Sequence, residues 1–203
     1  MRRISLLGCS VLVGLLIATS ATTAMAAGPY VGASGGIAII HDSDVDVTGV
    51  GTGTMNYNLG GGFNIAGGYN FDPVRVELEF GYKTANIDKI SGAGGNVTMP
   101  NSDINVKSYM VNSYYDFKTG NAFTPFVGVG FGILNDEINI QGSKEDDTLF
   151  GYQFTVGAGF KITPKVNIDV AYRYQGATSD FSKDGVSISY GSSNILAGVR
   201  YNF

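Results

Sequence analysis

The sequence predicts an all-β fold, an eight-stranded antiparallel transmembrane up-and-down β-barrel. Three observations carry that reading. Apolar and polar residues alternate with a period of two, over stretches of roughly ten residues that suit a tilted transmembrane strand. Beyond the N-terminus no apolar run is long enough for a membrane-spanning helix, so a membrane chain must satisfy its backbone by closing a barrel. The chain also holds 30 Gly, 12 Tyr and 12 Phe, and the aromatics gather near strand ends, where interfacial girdles form. Tyr30, Tyr69, Phe71, Tyr82, Tyr115, Phe117, Phe126, Phe150, Phe160, Tyr174, Tyr201 and Phe203 make up that set. A soluble barrel with a greasy interior would show the same alternation but not the girdles.

Residues 1–26 read as a secretory signal peptide. Arg2 and Arg3 precede an apolar stretch from Ile4 to Ile17, and Ala24-Met25-Ala26 supplies an A-x-A cleavage site. The only cysteine, Cys9, leaves with that segment. Leu6-Leu7-Gly8-Cys9 resembles a lipoprotein box but lies inside the apolar run, too near the start for one. The barrel domain is then 27–203, with no disulfide and no thiolate metal site. The formal net charge is −4 without a basic run, which argues against nucleic acid as a partner.

Eight strands follow in order. They are expected at Tyr30–Ile40, Leu59–Phe71, Val74–Lys83, Asn105–Phe117, Pro125–Asn135, Phe150–Ile162, Val166–Gln175 and Ser193–Phe203. Tight turns fall at Asp72-Pro73, Lys118–Thr124 and Thr163-Pro164-Lys165, and the prolines sit where a missing N–H costs least. Segments 41–58, 84–104, 136–149 and 176–192 are expected to be long connections, rich in Gly, Asp, Asn and Ser. Short turns at one end and long connections at the other are the layout of bacterial outer-membrane barrels, with the short side in the periplasm.

The alternation also assigns the faces. Val74, Val76, Leu78, Phe80 and Tyr82 oppose Arg75, Glu77, Glu79 and Lys83. The last strand sets Ile195, Ala197, Val199, Tyr201 and Phe203 against Arg200. Apolar residues face lipid and charges face the lumen. The inward charges are Arg75, Glu77, Glu79, Lys83, Asp116, Lys161, Asp169, Arg173 and Arg200, and Arg200 is expected to meet Glu77, Glu79, Asp116 or Asp169. An eight-stranded interior is just wide enough for side chains, so these charges are expected to plug it as a salt-bridge network, with an ion path as the alternative. Gly128, Gly130 and Gly132 are read as space for the long Arg and Glu side chains. They lack the spacing and helix of a nucleotide loop.

The remaining motifs are weak. His41 stands beside Asp42 and Ser43 at the start of a long connection. Neighbours in sequence cannot form a nucleophile–base chain without partners from elsewhere, so His41 reads as a solvated loop residue. Asp42-Ser43-Asp44-Val45-Asp46 lacks the Gly and terminal Glu of a calcium loop. With Glu145-Asp146-Asp147 it could gather divalent cations near lipopolysaccharide. Asn96-Val97-Thr98 is a glycosylation sequon by pattern only. No catalytic residue, cofactor or metal site is expected.

Several segments resemble the small, porin-like outer-membrane barrels of the opacity-protein, OmpA/OmpX-like and surface-antigen superfamily. They are Pro29-Tyr30-Val31-Gly32, Asn112 to Phe117, Thr124 to Gly130, Ala171-Tyr172-Arg173-Tyr174 and the terminal Val199-Arg200-Tyr201-Asn202-Phe203. The resemblance covers the whole chain after the signal. It implies insertion by the outer-membrane assembly machinery, which reads Ile195, Ala197, Val199, Tyr201 and Phe203 on the last strand. It also implies contact with outer-membrane lipids and lipopolysaccharide, and surface roles such as adhesion to host or cell-surface ligands. The expected function is a non-enzymatic surface barrel. A narrow channel for small solutes or ions is the alternative, and a lipid-modifying enzyme active at the membrane rim is the third.

Overall fold

The computed structural model describes residues 27–41, 43–47, 51–92, 95–98, 103–140, 143–178, 181–183, 186–188 and 190–203, and every regular element among them is a strand. The signal segment, Asp42 and the side chains of 43–57, 87–98, 138–147 and 181–188 lie outside what is described. The calcium-like run, Glu145-Asp146-Asp147 and the sequon therefore have no described side chains.

Among the described residues thirteen strands are formed: β1 (Gly28–Ile40), β2 (Ser43–Val47), β3 (Gly51–Tyr57), β4 (Gly60–Asn70), β5 (Val74–Gly92), β6 (Gly95–Thr98) and β7 (Asp103–Asp116). They are followed by β8 (Phe123–Ile140), β9 (Ser143–Lys161), β10 (Val166–Ala177), β11 (Phe181–Lys183), β12 (Val186–Ile188) and β13 (Gly191–Asn202). Eight of them close a barrel in the order β1-β4-β5-β7-β8-β9-β10-β13, and β13 pairs back onto β1. All neighbours are antiparallel. The seam runs from Tyr30 opposite Asn202 to Ile40 opposite Ser192, so each strand of the barrel is hydrogen-bonded along both edges.

The short turns are locally determined. Asn70 Oδ1 accepts from the Asp72 amide at 2.9 Å, and Phe71 N donates to Val74 O at 2.7 Å. Asp72 takes a φ of 45°, which an Asx side chain tolerates. Gly120 supplies the left-handed residue of the second turn, at φ 75°. In the third, Thr163 Oγ1 accepts from the amides of Lys165 and Val166 at 3.3 and 3.0 Å.

The long connections differ from expectation. At that end β5 continues to Gly92, and β8 and β9 remain paired from Asn135 opposite Thr148 to Ile140 opposite Ser143. The extension of β5 joins a second sheet in the order β11-β12-β2-β3-β5, with β6 on its other side. Period-two hydrophobicity vanished there because it reports two unlike surroundings. A ladder hydrogen-bonds equally well without them.

The faces separate cleanly within the barrel. Val111, Val129, Phe154, Ile195 and Val199 are about half exposed on the outer wall, whereas Arg75, Glu77, Glu79, Asn112 and Arg173 are buried inside. Two aromatics assigned to the girdle are exceptions. Tyr30 and Phe126 are buried in the lumen, because they share the inward phase of Gly32 and Gly128.

Candidate functional site

The lumen is the densest chemical constellation of the described residues, and it is built in layers. Nearest the short turns, Arg75 of β5 donates through Nε to Asp116 of β7, at 2.8 Å to Oδ2 and 3.0 Å to Oδ1. Arg200 of β13 donates to both oxygens of Asp169 on β10, Nε to Oδ2 at 3.0 Å and Nη2 to Oδ1 at 3.1 Å. Arg200 Nη1 also lies 4.0 Å from Asp116 Oδ2, which joins the two pairs. Among the described residues Arg75 Nη2 has no hydrogen-bond acceptor. Its guanidinium instead faces the rings of Tyr114 at 4.7 Å and Phe126 at 5.1 Å. A desolvated cation over ring faces gains on the order of 2 kcal/mol, which offsets the orphaned N–H.

The middle layer centres on Arg173 of β10. Its Nη1 and Nη2 reach Glu79 Oε1 and Oε2 at 2.8 and 2.9 Å, and its Nε donates to Thr155 at 3.2 Å. Glu77 is held by neutral donors: Tyr30 at 2.8 Å, Tyr114 at 3.0 Å and Asn112 at 3.2 Å. A third layer links Gln153, Gln175 and Ser192. Lys83 Nζ donates to Gln175 Oε1 at 2.7 Å and Ser192 Oγ at 3.3 Å, and Gln175 donates to Gln153 at 2.9 Å. Above these, an apolar cluster of Ile40, Ala85, Ile104, Val106, Met110, Leu134 and Tyr190 fills the lumen toward the extended end. A cavity of about 80 Å³ lies among these layers, beside Tyr30, Glu77 and Arg173.

Eight of the nine charges assigned to the interior therefore share one lumen. Lys161 does not. It keeps the inward phase but is exposed, because it ends β9 at the mouth, where the barrel no longer encloses it. There it borders a basin of about 470 Å³ with Lys118 and Asn167. The glycines of β8 also differ from expectation. Register places Gly128, Gly130 and Gly132 beside Tyr114, Asn112 and Met110 of β7. A Cβ would come within 2.2 Å of the Tyr114 ring, 1.9 Å of Asn112 Oδ1 and 2.8 Å of Met110 Sδ. They make room for these neighbours, not for Arg and Glu.

The alternation sets Gln153 and Gln175 on inward faces, but sequence reasoning missed the neutral partners Tyr30, Tyr114, Asn112 and Ser192. The available signal was phase, since each falls on the inward set of its strand. The apolar cluster was missed too, because an inward position was equated with a polar one. The terminal residues lie as follows: Ile195, Ala197, Val199, Tyr201 and Phe203 point outward, and Phe203 N donates to Pro29 O at 3.1 Å across the seam. His41, read as a loop residue, stands at the end of β1. Its Nε2 is 2.9 Å from Ser193 Oγ, which β13 brings from 152 positions away.

Known proteins place this geometry in a family. The model of the outer membrane protein beta-barrel domain matches residues 9–203. The outer membrane protein PagN of Salmonella typhimurium is 27% identical over 196 residues, covering 82% of this chain and 81% of PagN. A candidate adhesin of Rickettsia conorii is 25% identical, over 68% of this chain and 65% of its own length. Among solved structures, Neisserial surface protein A superposes with a TM-score of 0.60 at 23% identity, over 88% of this chain and 99% of that one.

Proposed function

The chain belongs to the family of outer membrane protein beta-barrel domains, and from that premise we propose that it is a non-enzymatic surface adhesin. Residues 1–26 are its secretion signal, and 27–203 form the barrel. The observation that carries the reading is a contrast between the two ends and the middle. The lumen is crossed by three hydrogen-bonded layers and an apolar cluster, while the strands run past the barrel into a second sheet, β11-β12-β2-β3-β5 with β6. In outer-membrane barrels the long segments face the cell exterior. The chain thus invests its extra residues in an exterior surface, and the filled lumen leaves solute passage without a path. The rickettsial relative, named as a candidate adhesin, supports the same reading.

In this proposal the partners are a host or cell-surface ligand at the exterior sheet, and lipids with lipopolysaccharide around the wall. The assembly machinery is a third partner, at the outward residues of β13. The test is surface display of the full chain in a non-adherent bacterium, with attachment to cultured cells as the readout. Replacing the β2–β3 and β11–β12 hairpins by short Gly-Ser turns should abolish attachment and leave the heat-dependent electrophoretic shift of the folded barrel unchanged. Attachment equal to that of the parent would sink the reading. Envelope lipid composition should be unaltered by His41→Ala; a change would make the protein an enzyme.

A further inference from the structure

Along β13 the outer wall is apolar from Phe203 to Ile195 and then changes character. The next outward position is Ser193. The ladders set it opposite Ile39 of β1 and Tyr174 of β10, and His41 continues that edge through its amide, which donates to Gly191 O at 2.8 Å. Ser193 Oγ shares hydrogen bonds with His41 Nε2 and with the Tyr172 hydroxyl, both at 2.9 Å. The Tyr174 ring stands 5.7 Å from the imidazole. A serine, a histidine and two tyrosines thus meet on a mostly apolar wall, at its extended end.

A groove of about 480 Å³ on the same wall reaches this cluster. Val129, Phe154, Val156 and the short outward Ser113 line it, together with Tyr172 and Tyr174 of the cluster. Tyr172 belongs to both features: its ring bounds the groove and its hydroxyl holds Ser193. The groove lies on the outer, lipid-facing wall, where an acyl chain is the occupant at hand.

We propose that His41, Ser193, Tyr172 and Tyr174 form a site for a single phosphorylated glycolipid of the outer leaflet, with one acyl chain in the adjoining groove. Imidazole and hydroxyl groups hydrogen-bond phosphate and sugar oxygens, and the Tyr174 ring offers a face for the sugar. The site holds lipid and does not cleave it. Among the described residues the amides of β13 are engaged in its two ladders and do not form an oxyanion hole at Ser193. This inference rests on the part of the proposed function that sets lipopolysaccharide around the wall, and stands apart from adhesion at the exterior sheet.

The test uses the full barrel, delipidated in mild detergent, with diphosphoryl lipid A as the probe and native mass spectrometry as the readout. The parent should retain one lipid A. S193A, Y172F and H41A should each reduce the bound fraction roughly three- to tenfold, the scale of one lost hydrogen bond. S113L, which fills the groove, should reduce it as well, and S193T should restore it. K107A alters an exposed residue on β7 and should change nothing. The heat-dependent shift on gels verifies that each variant is folded. Equal retention by the parent and S193A overturns the proposal. So does equal retention of phosphatidylethanolamine, and so does deacylated lipid A among the products, which would make the Ser193–His41 pair catalytic.

Discussion

Arg173 and Glu79 meet across the lumen as a two-pronged pair, with N–O distances of 2.8 and 2.9 Å and both side chains buried. The pair roughly breaks even against an apolar pair of the same shape, but a lone survivor is costly. Glu79→Ala should therefore destabilise the barrel by about 3–5 kcal/mol, and the double change Glu79→Leu with Arg173→Leu should recover most of that loss. Guanidinium unfolding in lipid vesicles measures both. A double variant as unstable as the single one would contradict this balance.

Gly130 and Gly67 make a paired test of the wall. A Cβ at Gly130 would sit 1.9 Å from Asn112 Oδ1, whereas one at Gly67 meets nothing within 4 Å. Gly130→Val should cost about 1–3 kcal/mol through overpacking, and Gly67→Ala should be close to silent. The same unfolding assay separates them.

Val129 points to lipid and Thr155 to the lumen, where its hydroxyl accepts from Arg173. Val129→Arg should cost about 2–4 kcal/mol at mid-bilayer depth. Thr155→Ser keeps the acceptor and should be tolerated. Equal tolerance at both positions would reverse the inside–outside assignment.

Leu134 has no exposed surface and anchors the apolar cluster at the extended end. Leu134→Ala should lower stability by about 2–5 kcal/mol. In planar bilayers the parent should give no steady conductance level, because three polar layers remain beneath the cluster. Sustained openings from the purified parent would favour the channel reading.

Much of this architecture was legible because a barrel wall separates lipid from a polar interior, and that contrast writes itself into alternate residues. Val166, Ile168, Val170 and Tyr172 against Asn167, Asp169 and Arg173 assign β10 without further information. The signal failed wherever the contrast fails. Beyond Thr84 on β5 and Asn135 on β8 both faces leave the lipid, and strands there look like connections. Lys161 kept the right phase at a depth the phase cannot report. Tyr30 and Phe126 were placed by residue type when phase was the better guide. The meeting of His41 with Ser193 depends on the seam register, a long-range fact that neither local segment contains.

Deleting Phe203 should reduce outer-membrane levels of the protein before it alters any surface activity, since the residue contributes both an outward ring and the last amide of the seam. Immunoblots of membrane fractions against whole-cell protein read this directly. Normal levels of the truncated chain would remove β13 as the assembly signal.

The β1–β13 seam also orders events in time. One edge of β1 pairs with the nearby β4, but the other finds its partner only in β13, with the rest of the barrel between them in the chain. Until that moment β1 carries an unsatisfied row of amides and carbonyls that would pair with any passing strand. That free edge must therefore be kept from other strands until β13 is in place, so closing the seam is the step that ends the barrel's exposure to mispairing.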